Sequence, residues 1–191
     1  YSPAGVLAPI QRSDLAFTMH MLYHLSETGT CAIVEFPGVL YRGGAEKKIR
    51  EYLIKNNFVD TVIQLPANLF FGVGIATCII VIKKNKKDNN ILFVDASGEC
   101  EKKGDKNKLE DENQNRIVNA YQERKEEQYF TKLVSNDEVL ANGANLSVSS
   151  YVEKEDKREV IDIVALNEEI EALSKDVRNR SVELDEMIKE L

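Results

Sequence analysis

The spacing of hydrophobic residues predicts helices and strands that alternate along the first hundred residues. Residues 13–25 carry apolar side chains on one helical stripe, and residues 45–57 form a second amphipathic pattern with Lys, Arg and Glu on the outer face. Runs of β-branched and other apolar residues predict four strands, at 31–36, 58–65, 75–84 and 90–97. The pattern therefore indicates an α/β protein.

The order of these elements also predicts how the strands pair. Strand, helix and strand within about 35 residues, from 31 to 65, form a βαβ unit with parallel strands and a right-handed crossover. The polar link between the last two strands is short enough for a hairpin, so we expect the sheet to end in an antiparallel pair.

Three further segments follow this α/β part, which we assign to residues 1–97. Residues 98–113 hold almost no apolar side chain and predict a polar loop, and residues 114–158 predict a helical and extended connector. Residues 159–191 repeat apolar residues in steps of three and four, broken only at Arg180, which predicts a coiled-coil arm that needs a partner surface. Its candidate docking residues are Ile163, Leu166, Ile170, Leu173, Val177 and Leu184.

Composition limits the classes of function. The net charge of -7 argues against a free-standing nucleic-acid binder, so a local basic patch or a partner must supply positive charge for any DNA contact. Three scattered cysteines favour a reducing, cytoplasmic setting over a disulfide framework. The sequence shows no signal segment and no apolar run near the roughly 20 residues that span a bilayer, so we expect no membrane insertion.

Two motifs with a familiar spacing do not predict a cofactor or a metal. Gly72-Val73-Gly74 begins like a dinucleotide fingerprint, but Thr77 replaces the third glycine and a strand follows instead of a helix. His20 and His24 lie one helical turn apart, yet Met21 occupies the position at which a zinc protease carries its glutamate. Two histidines along the edge of a core helix explain that pair better than a metal site.

The segment from Tyr41 to Arg50 has the elements of an anion site. Arg42 and the Gly43-Gly44 pair precede a helix N-terminus, where backbone N–H groups and the helix dipole attract phosphate, and Lys47 adds charge. The alternative is a loop that needs glycine followed by the solvated face of an ordinary helix. Spacing alone favours this alternative.

Phe70 and Phe71 raise a similar choice. They precede Gly72 and Gly74 in a loop between two strands. The rings could pack against the sheet, or they could form a stacking platform for a base that the glycines allow to come near. The pattern alone does not decide between the two.

Several long segments together resemble a known family. They are SDLAFTMHMLYHL, GVLYRGGAEKKIREYLI, LPANLFFGVGIATCIIVIKK, ILFVDAS, NRIVNAYQERKEEQYF and ANGANLSVSSYV. In this order they are similar to the C-terminal half of the modification subunit of type I restriction-modification systems, an adenine-N6 DNA methyltransferase with a Rossmann-like sheet. Ser149-Ser150 departs from the Pro-Arg pair expected before Tyr151.

The resemblance also implies what the chain lacks. The family's glycine-rich loop for S-adenosylmethionine and its Asn-Pro-Pro-Tyr/Phe catalytic motif are not present in these residues. We therefore interpret the chain as a fragment, assign no catalytic residue within it, and expect it to be inactive and to bind no cofactor alone.

The resemblance implies roles for the segments that are present. In the full-length subunit, methyl would pass from S-adenosylmethionine to adenine N6 in duplex DNA, with Phe70, or less favourably Phe71, stacked on the extruded base. Gly72 and Gly74 would allow the close approach, and Arg42, Gly43, Gly44 and Lys47 would lie near DNA phosphates.

The apolar arm would dock on the specificity subunit, and a nuclease subunit is a further potential partner. The alternative is a non-enzymatic assembly module, with an α/β scaffold and a coiled-coil interaction arm.

Overall fold

The computed structural model describes residues 2–154 and 163–189. The chain divides into two units, Tyr1–Lys154 and Glu155–Leu191. The first unit contains the sheets with the helices that cover them, and the second contains a single long helix. None of the helices in the described part of the chain is long and apolar enough to cross a membrane.

The described residues form five α-helices and seven strands. The helices are α1 (Asp14–His24), α2 (Ala45–Lys55), α3 (Asp111–Glu123), α4 (Asn136–Ala141) and α5 (Ile163–Lys189). The strands are β1 (Thr30–Glu35), β2 (Val59–Gln64), β3 (Cys78–Lys83), β4 (Asn90–Asp95), β5 (Glu101–Lys103), β6 (Lys106–Lys108) and β7 (Thr131–Ser135). Short 3-10 turns occupy Pro37–Leu40 and Val148–Ser150. The α/β class predicted from the sequence is confirmed.

The main sheet has the strand order β1-β3-β2-β4-β7. Strand β3 is antiparallel to both of its neighbours, β2 and β4 are parallel, and β7 closes the sheet antiparallel to β4. Strands β1 and β2 therefore run in the same direction, as the βαβ pattern predicts, but β3 lies between them.

The predicted hairpin between β3 and β4 is wrong, because β2 separates these two strands. Strand β3 is buried along most of its length. A strand of that kind is stable inside a sheet, where it has partners on both edges and cover on both faces. The link 84–89 crosses two strand spacings, or about 10 Å, which six residues span easily.

Alternation along the strands builds a core on each face of the sheet. Val62 and Phe93 lie in the larger core, which also receives Leu15 of α1, Ile49 of α2 and Val139 of α4. The second core packs against α3 and contains Ile63, Leu65, Leu92, Val94, Ala96, Ile117 and Phe130. The helical stripe predicted around Leu15 and Leu22 is thus a core-facing stripe.

A buried arginine ties the connector to the first part of the fold. Arg50 of α2 is 2% exposed and donates hydrogen bonds to the carbonyl oxygens of Ala144, at 2.8 Å, and Val39, at 2.9 Å. Burial lowers the pKa of its guanidinium to about 10. These bonds satisfy two carbonyls that no helix or strand uses, which explains why a charged residue belongs in this core.

The segment after β4 differs from its prediction in detail. Residues 98–113 contain the two-stranded ribbon β5–β6 and the first turn of α3. Helix α3 ends at Glu123 because Arg124 adopts a left-handed conformation with φ 51°. The chain then turns back and forms β7, which the sequence analysis missed.

Candidate nucleic-acid interface

Strand directions bring three loops to one edge of the sheet. The carboxyl ends of β1, β2 and β4 lie at the same edge, where Glu35 and Gln64 both pair with Cys78 and Gln64 also pairs with Asp95. The segments that leave this edge are 36–44, 65–77 and 96–110. Ligands of α/β proteins bind beyond the carboxyl ends of parallel strands, so this edge is the first place to look for a site.

The segment 65–77, which we call the phenylalanine loop, is closed at its base. The N–H of Leu65 donates to the carbonyl oxygen of Thr77 at 2.9 Å, and the Gln64 side chain donates to the same oxygen at 3.0 Å. Leu69 packs against the second core. The loop is therefore held to the sheet at its base and at Leu69.

The two aromatic rings of this loop are not core residues. Phe71 is 99% exposed and Phe70 is 40% exposed. The packing alternative required one ring under the sheet, and the structure places neither there. Two adjacent large apolar groups left in water are typical of a binding surface.

The backbone conformation requires glycine at only one of the two glycine positions in the loop. Gly72 has φ +75°, which a residue with a side chain adopts only with strain, whereas Gly74 has no such requirement. A Cβ at Gly72 would meet open space, and one at Gly74 would lie 3.5 Å from the Asn68 side-chain oxygen, an ordinary contact. Gly72 thus shapes the turn, and both positions leave room for a ligand.

The ribbon β5–β6 braces the phenylalanine loop. Asn107 donates from its side chain to the carbonyl oxygen of Ala67 at 2.8 Å and from its backbone to that of Asn68 at 3.1 Å. The Lys106 amine donates to the carbonyl oxygen of Phe70 at 3.5 Å. The sequence analysis treated this segment as a solvated loop, although Gly104-Asp105 between lysine-rich stretches is a hairpin signal.

The predicted phosphate site lies at the same edge but is partly occupied by the protein's own groups. Gly44 has φ +68° and precedes α2, and Glu46 in the first turn of α2 is 1% exposed. Arg42 lies 3.5 Å from the Glu46 carboxylate and 5.6 Å from the centre of the Phe36 ring. A carboxylate therefore already fills the positive end of the helix.

The remaining members of that predicted site are more available. The Lys47 amine lies 3.9 Å from the Glu51 carboxylate. A half-exposed surface ion pair of this kind contributes little to stability. Gly43 and Gly44 have open space where a Cβ would lie. Arg12 also approaches Glu46, at 3.8 Å, so Arg42 shares its carboxylate with a second cation.

The last residue of β1 is a buried acid, which the sequence pattern did not indicate as a site residue. Glu35 is 6% exposed and accepts a hydrogen bond of 2.7 Å from the Thr18 hydroxyl. Burial raises the pKa of the Glu35 carboxyl, the Thr18 hydrogen bond lowers it, and Asp14 raises it. Burial likewise raises the pKa of the neighbouring Cys78 thiol to about 12, so this cysteine is not a nucleophile at neutral pH.

The described residues do not form a metal site. They contain no group of three or more His, Cys, Asp or Glu side chains placed to hold a metal ion. His20 and His24 lie on an exposed face of α1, with ring centres 4.6 Å apart. Gly72-Val73-Gly74 leads into β3 instead of a helix, so these residues do not fit a nucleotide-containing cofactor.

The apolar stripe of the second unit is exposed on helix α5. Its exposed members are Ile163, Leu166, Ile170, Leu173 and Val177, between 44% and 69% accessible. The structure describes no side chain at Leu184, so that predicted docking residue lies outside the described side chains. The helix is confirmed, and its pairing as a coiled coil stays a prediction.

Comparison with known proteins identifies the class. Residues 1–160 match the N-6 DNA Methylase family, and the chain belongs to that family. The resemblance inferred from the residues is therefore confirmed.

Two of the similar proteins are methylase subunits of type I restriction enzymes. The chain is 44% identical over 193 residues to the type I restriction enzyme MpnII methylase subunit of Mycoplasma pneumoniae, covering 99% of this chain and 36% of that protein. It is 34% identical to the MjaVII methylase subunit of Methanocaldococcus jannaschii, covering 96% of this chain and 32% of the relative. The chain thus spans about a third of the length of these relatives.

A solved structure agrees with this assignment. The methyltransferase subunit of a type I restriction-modification system from Streptococcus thermophilus superposes with a TM-score of 0.78 at 42% identity, over 80% of this chain and 33% of that one. The M protein of the type I restriction enzyme EcoKI has a TM-score of 0.64 at 19% identity and shows the common fold.

Proposed function

We propose that the chain is part of a site-specific adenine DNA methyltransferase, in which it forms the side of the cleft that receives the target base. The intact enzyme transfers methyl from S-adenosylmethionine to the N6 amine of adenine in duplex DNA. The cofactor and the catalytic motif are held by parts of the full-length protein that these 191 residues do not include. Family membership and the methylase relatives support the reaction class.

One observation supports the role of this part of the enzyme. Two phenylalanine rings project from a braced loop at the ligand-binding edge of an α/β sheet, where they contribute nothing to the core. An enzyme that methylates a base within a duplex must extrude that base and hold its face. A stacked aromatic ring contributes about 1–3 kcal/mol to holding a base.

Phe70 is our choice for the stacking ring. It is partly covered, and its carbonyl oxygen accepts from the N–H of Val73 at 3.2 Å, a bond that holds the backbone of the loop at this residue. Phe71 projects fully into solvent and is the second candidate. Gly72 and Gly74 leave space beside the rings for the sugar and phosphate of an extruded nucleotide.

The phosphate contacts of the 36–44 segment belong to this proposal in a revised form. The open backbone at Gly43-Gly44 and the loosely paired Lys47 are suited to meet a DNA phosphate. Arg42 would have to leave the buried carboxylate of Glu46 to do so. We therefore assign Arg42 first to the internal ion pair.

The exposed stripe of α5 supports a second role, assembly. We propose that it docks on helices of the specificity subunit of the same system. Five large apolar side chains on one face of a helix are costly in water unless a partner covers them. A scaffold that only assembles subunits would use the same stripe but would leave Phe70 and Phe71 without a task.

Methyl transfer to DNA tests the proposal. The full-length subunit with its specificity subunit should transfer labelled methyl to adenine, and Phe70→Ala should lose about fivefold or more in kcat/KM, because about 1–3 kcal/mol of stacking is worth roughly 5- to 150-fold. Phe70→Tyr, which retains an aromatic face, is the matched control and should keep most of the activity. Activity of Phe70→Ala within twofold of wild type would exclude the ring from base stacking.

A further inference from the structure

We propose that the ribbon β5–β6 is a DNA phosphate contact that lies beside the target base, and that Lys102 and Lys106 carry the contact. This inference rests on the proposed methyltransferase function. It adds a binding element that neither the phenylalanine loop nor the 36–44 segment supplies, and it identifies the source of positive charge that an acidic chain needs for DNA binding.

The ribbon contributes no buried residue to the core. All three residues of β5 are exposed, and β6 is exposed or half-buried. A two-stranded ribbon without an apolar face is marginally stable by itself, so its contacts with the rest of the protein must hold it in place. Those contacts are the bonds from Asn107 and Lys106 to the phenylalanine loop.

Charge is concentrated in this ribbon against the trend of the whole chain. Residues 101–108 contain four lysines and two acidic residues, Glu101 and Asp105, in a chain with a net charge of -7. Glu110 pairs with two of the four lysines, Lys103 and Lys108. Within the described ranges, no carboxylate lies within salt-bridge distance of Lys102 or Lys106, so these two amines remain available for an external anion.

The strand register of the ribbon gives the positions of Lys102 and Lys106 relative to the phenylalanine loop. Lys102 pairs with Asn107 across the ribbon, and cross-strand partners project from the same face. Asn107 contacts the phenylalanine loop with both its backbone N–H and its side chain, so the loop lies along the outer edge of β6 and Lys102 is one strand farther away. Lys106 already reaches the Phe70 carbonyl oxygen. The Lys106 amine therefore lies at the loop that carries the stacking ring, and Lys102 lies exposed on the neighbouring strand of the ribbon.

A phosphate contact at this place follows from the chemistry of base extrusion. Removing a base from the duplex rotates its nucleotide about the backbone, and the flanking phosphates come to the mouth of the pocket. Lys106 at the loop and Lys102 on the adjacent strand of the ribbon would hold such a phosphate while the ring holds the base. The ribbon thus couples the position of the loop, through Asn107, to the position of the DNA backbone.

The salt dependence of DNA binding tests this inference in the full-length subunit assembled with its specificity subunit. The logarithm of the DNA-binding constant falls linearly with the logarithm of the salt concentration. Each lost phosphate contact makes this slope less steep by about 0.9. The double variant Lys102→Gln/Lys106→Gln should therefore make the slope less steep by about 1.8. The double variant Lys102→Arg/Lys106→Arg should keep the wild-type slope. Lys87→Gln is the matched control, since Lys87 is an exposed lysine in the link at the opposite edge of the sheet.

Two results would overturn the inference. An unchanged slope in the double glutamine variant would leave the ribbon as a brace only. Loss of co-purification with the specificity subunit, with the slope unchanged, would make the lysines a subunit contact. Circular dichroism of the double variant checks that the fold is retained.

The same experiment separates this inference from the proposed function. Phe70→Ala should lose methyl transfer and keep the wild-type slope, whereas the double lysine variant changes the slope. Methyl transfer that survives in Phe70→Ala, combined with a lowered slope in the lysine variant, would refute the stacking role and support the phosphate contact.

Discussion

Glu35 illustrates how a single side chain at this edge of the sheet affects stability. Its carboxylate is buried, and its one short side-chain hydrogen bond comes from Thr18. Because the pKa is raised in the folded state, the folded protein binds more protons than the unfolded chain above the ordinary carboxyl pKa. Stability from this group is fully present below that ordinary value and is lost as the pH rises through the folded value.

Glu35→Gln should therefore raise the melting temperature at pH 7.5. The amide removes the buried charge and keeps an oxygen that accepts from Thr18. The difference from wild type should shrink as the pH falls toward 4.5, the ordinary pKa of a glutamate carboxyl. Thermal melts of both proteins at pH 7.5 and pH 5 measure it, and a variant that is less stable at both values would show that the carboxylate is stabilising.

The side chains around the phenylalanine loop show what sequence reasoning resolves at this scale. The presence of two aromatic residues beside glycines is visible in the sequence, but the sequence does not show that Leu69, and neither ring, packs against the second core. The pairing of Arg42 with Glu46 depends on Gly38, since a Cβ there would lie 2.4 Å from the Arg42 guanidinium. Contacts of this kind join residues through packing and carry no signal in spacing.

At the scale of elements, periodicity located most of the secondary structure. Helices α1 and α2 and strands β1 to β4 begin and end within a few residues of their predicted limits, because each has a strong stripe or a nearly continuous apolar run. Strand β7 was missed because its five residues alternate weakly and follow a charged helix. The pairing of β3 was missed because neighbours in a sheet are fixed by burial on both edges, which the length of a link does not reveal.

Helix α5 carries the prediction that belongs to this scale. Ile170→Asp/Leu173→Asp should abolish co-purification of the full-length subunit with the specificity subunit, since two charges would be buried in the proposed interface. Both positions are exposed in the present structure, so the methylase fold itself should be unaffected. Lys175→Asp, a change to a polar residue of the same helix that lies off the apolar stripe, is the control and should co-purify. A double aspartate variant that still co-purifies would show that another surface binds the specificity subunit.

For the whole molecule, three segments at one edge of the sheet serve the proposed methyl transfer. The phenylalanine loop, the ribbon β5–β6 and the 36–44 segment leave the same edge, and the family is that of N-6 DNA methylases. Fold class and family could be inferred from sequence segments in the right order. The brace between ribbon and loop could not, because it depends on backbone carbonyls at Ala67 and Asn68 that any residue would supply.

Photocross-linking tests the central claim most directly, namely that this edge receives the target base. A duplex with 5-iodouracil at the target position is irradiated with the full-length subunit and its specificity subunit, and the cross-linked residue is mapped by mass spectrometry. A mismatched base at that position is extruded more easily, which favours capture. The account predicts a cross-link at Phe70 that is lost in Phe70→Ala. A cross-link that maps outside residues 65–77, or that persists unchanged in Phe70→Ala, would contradict it.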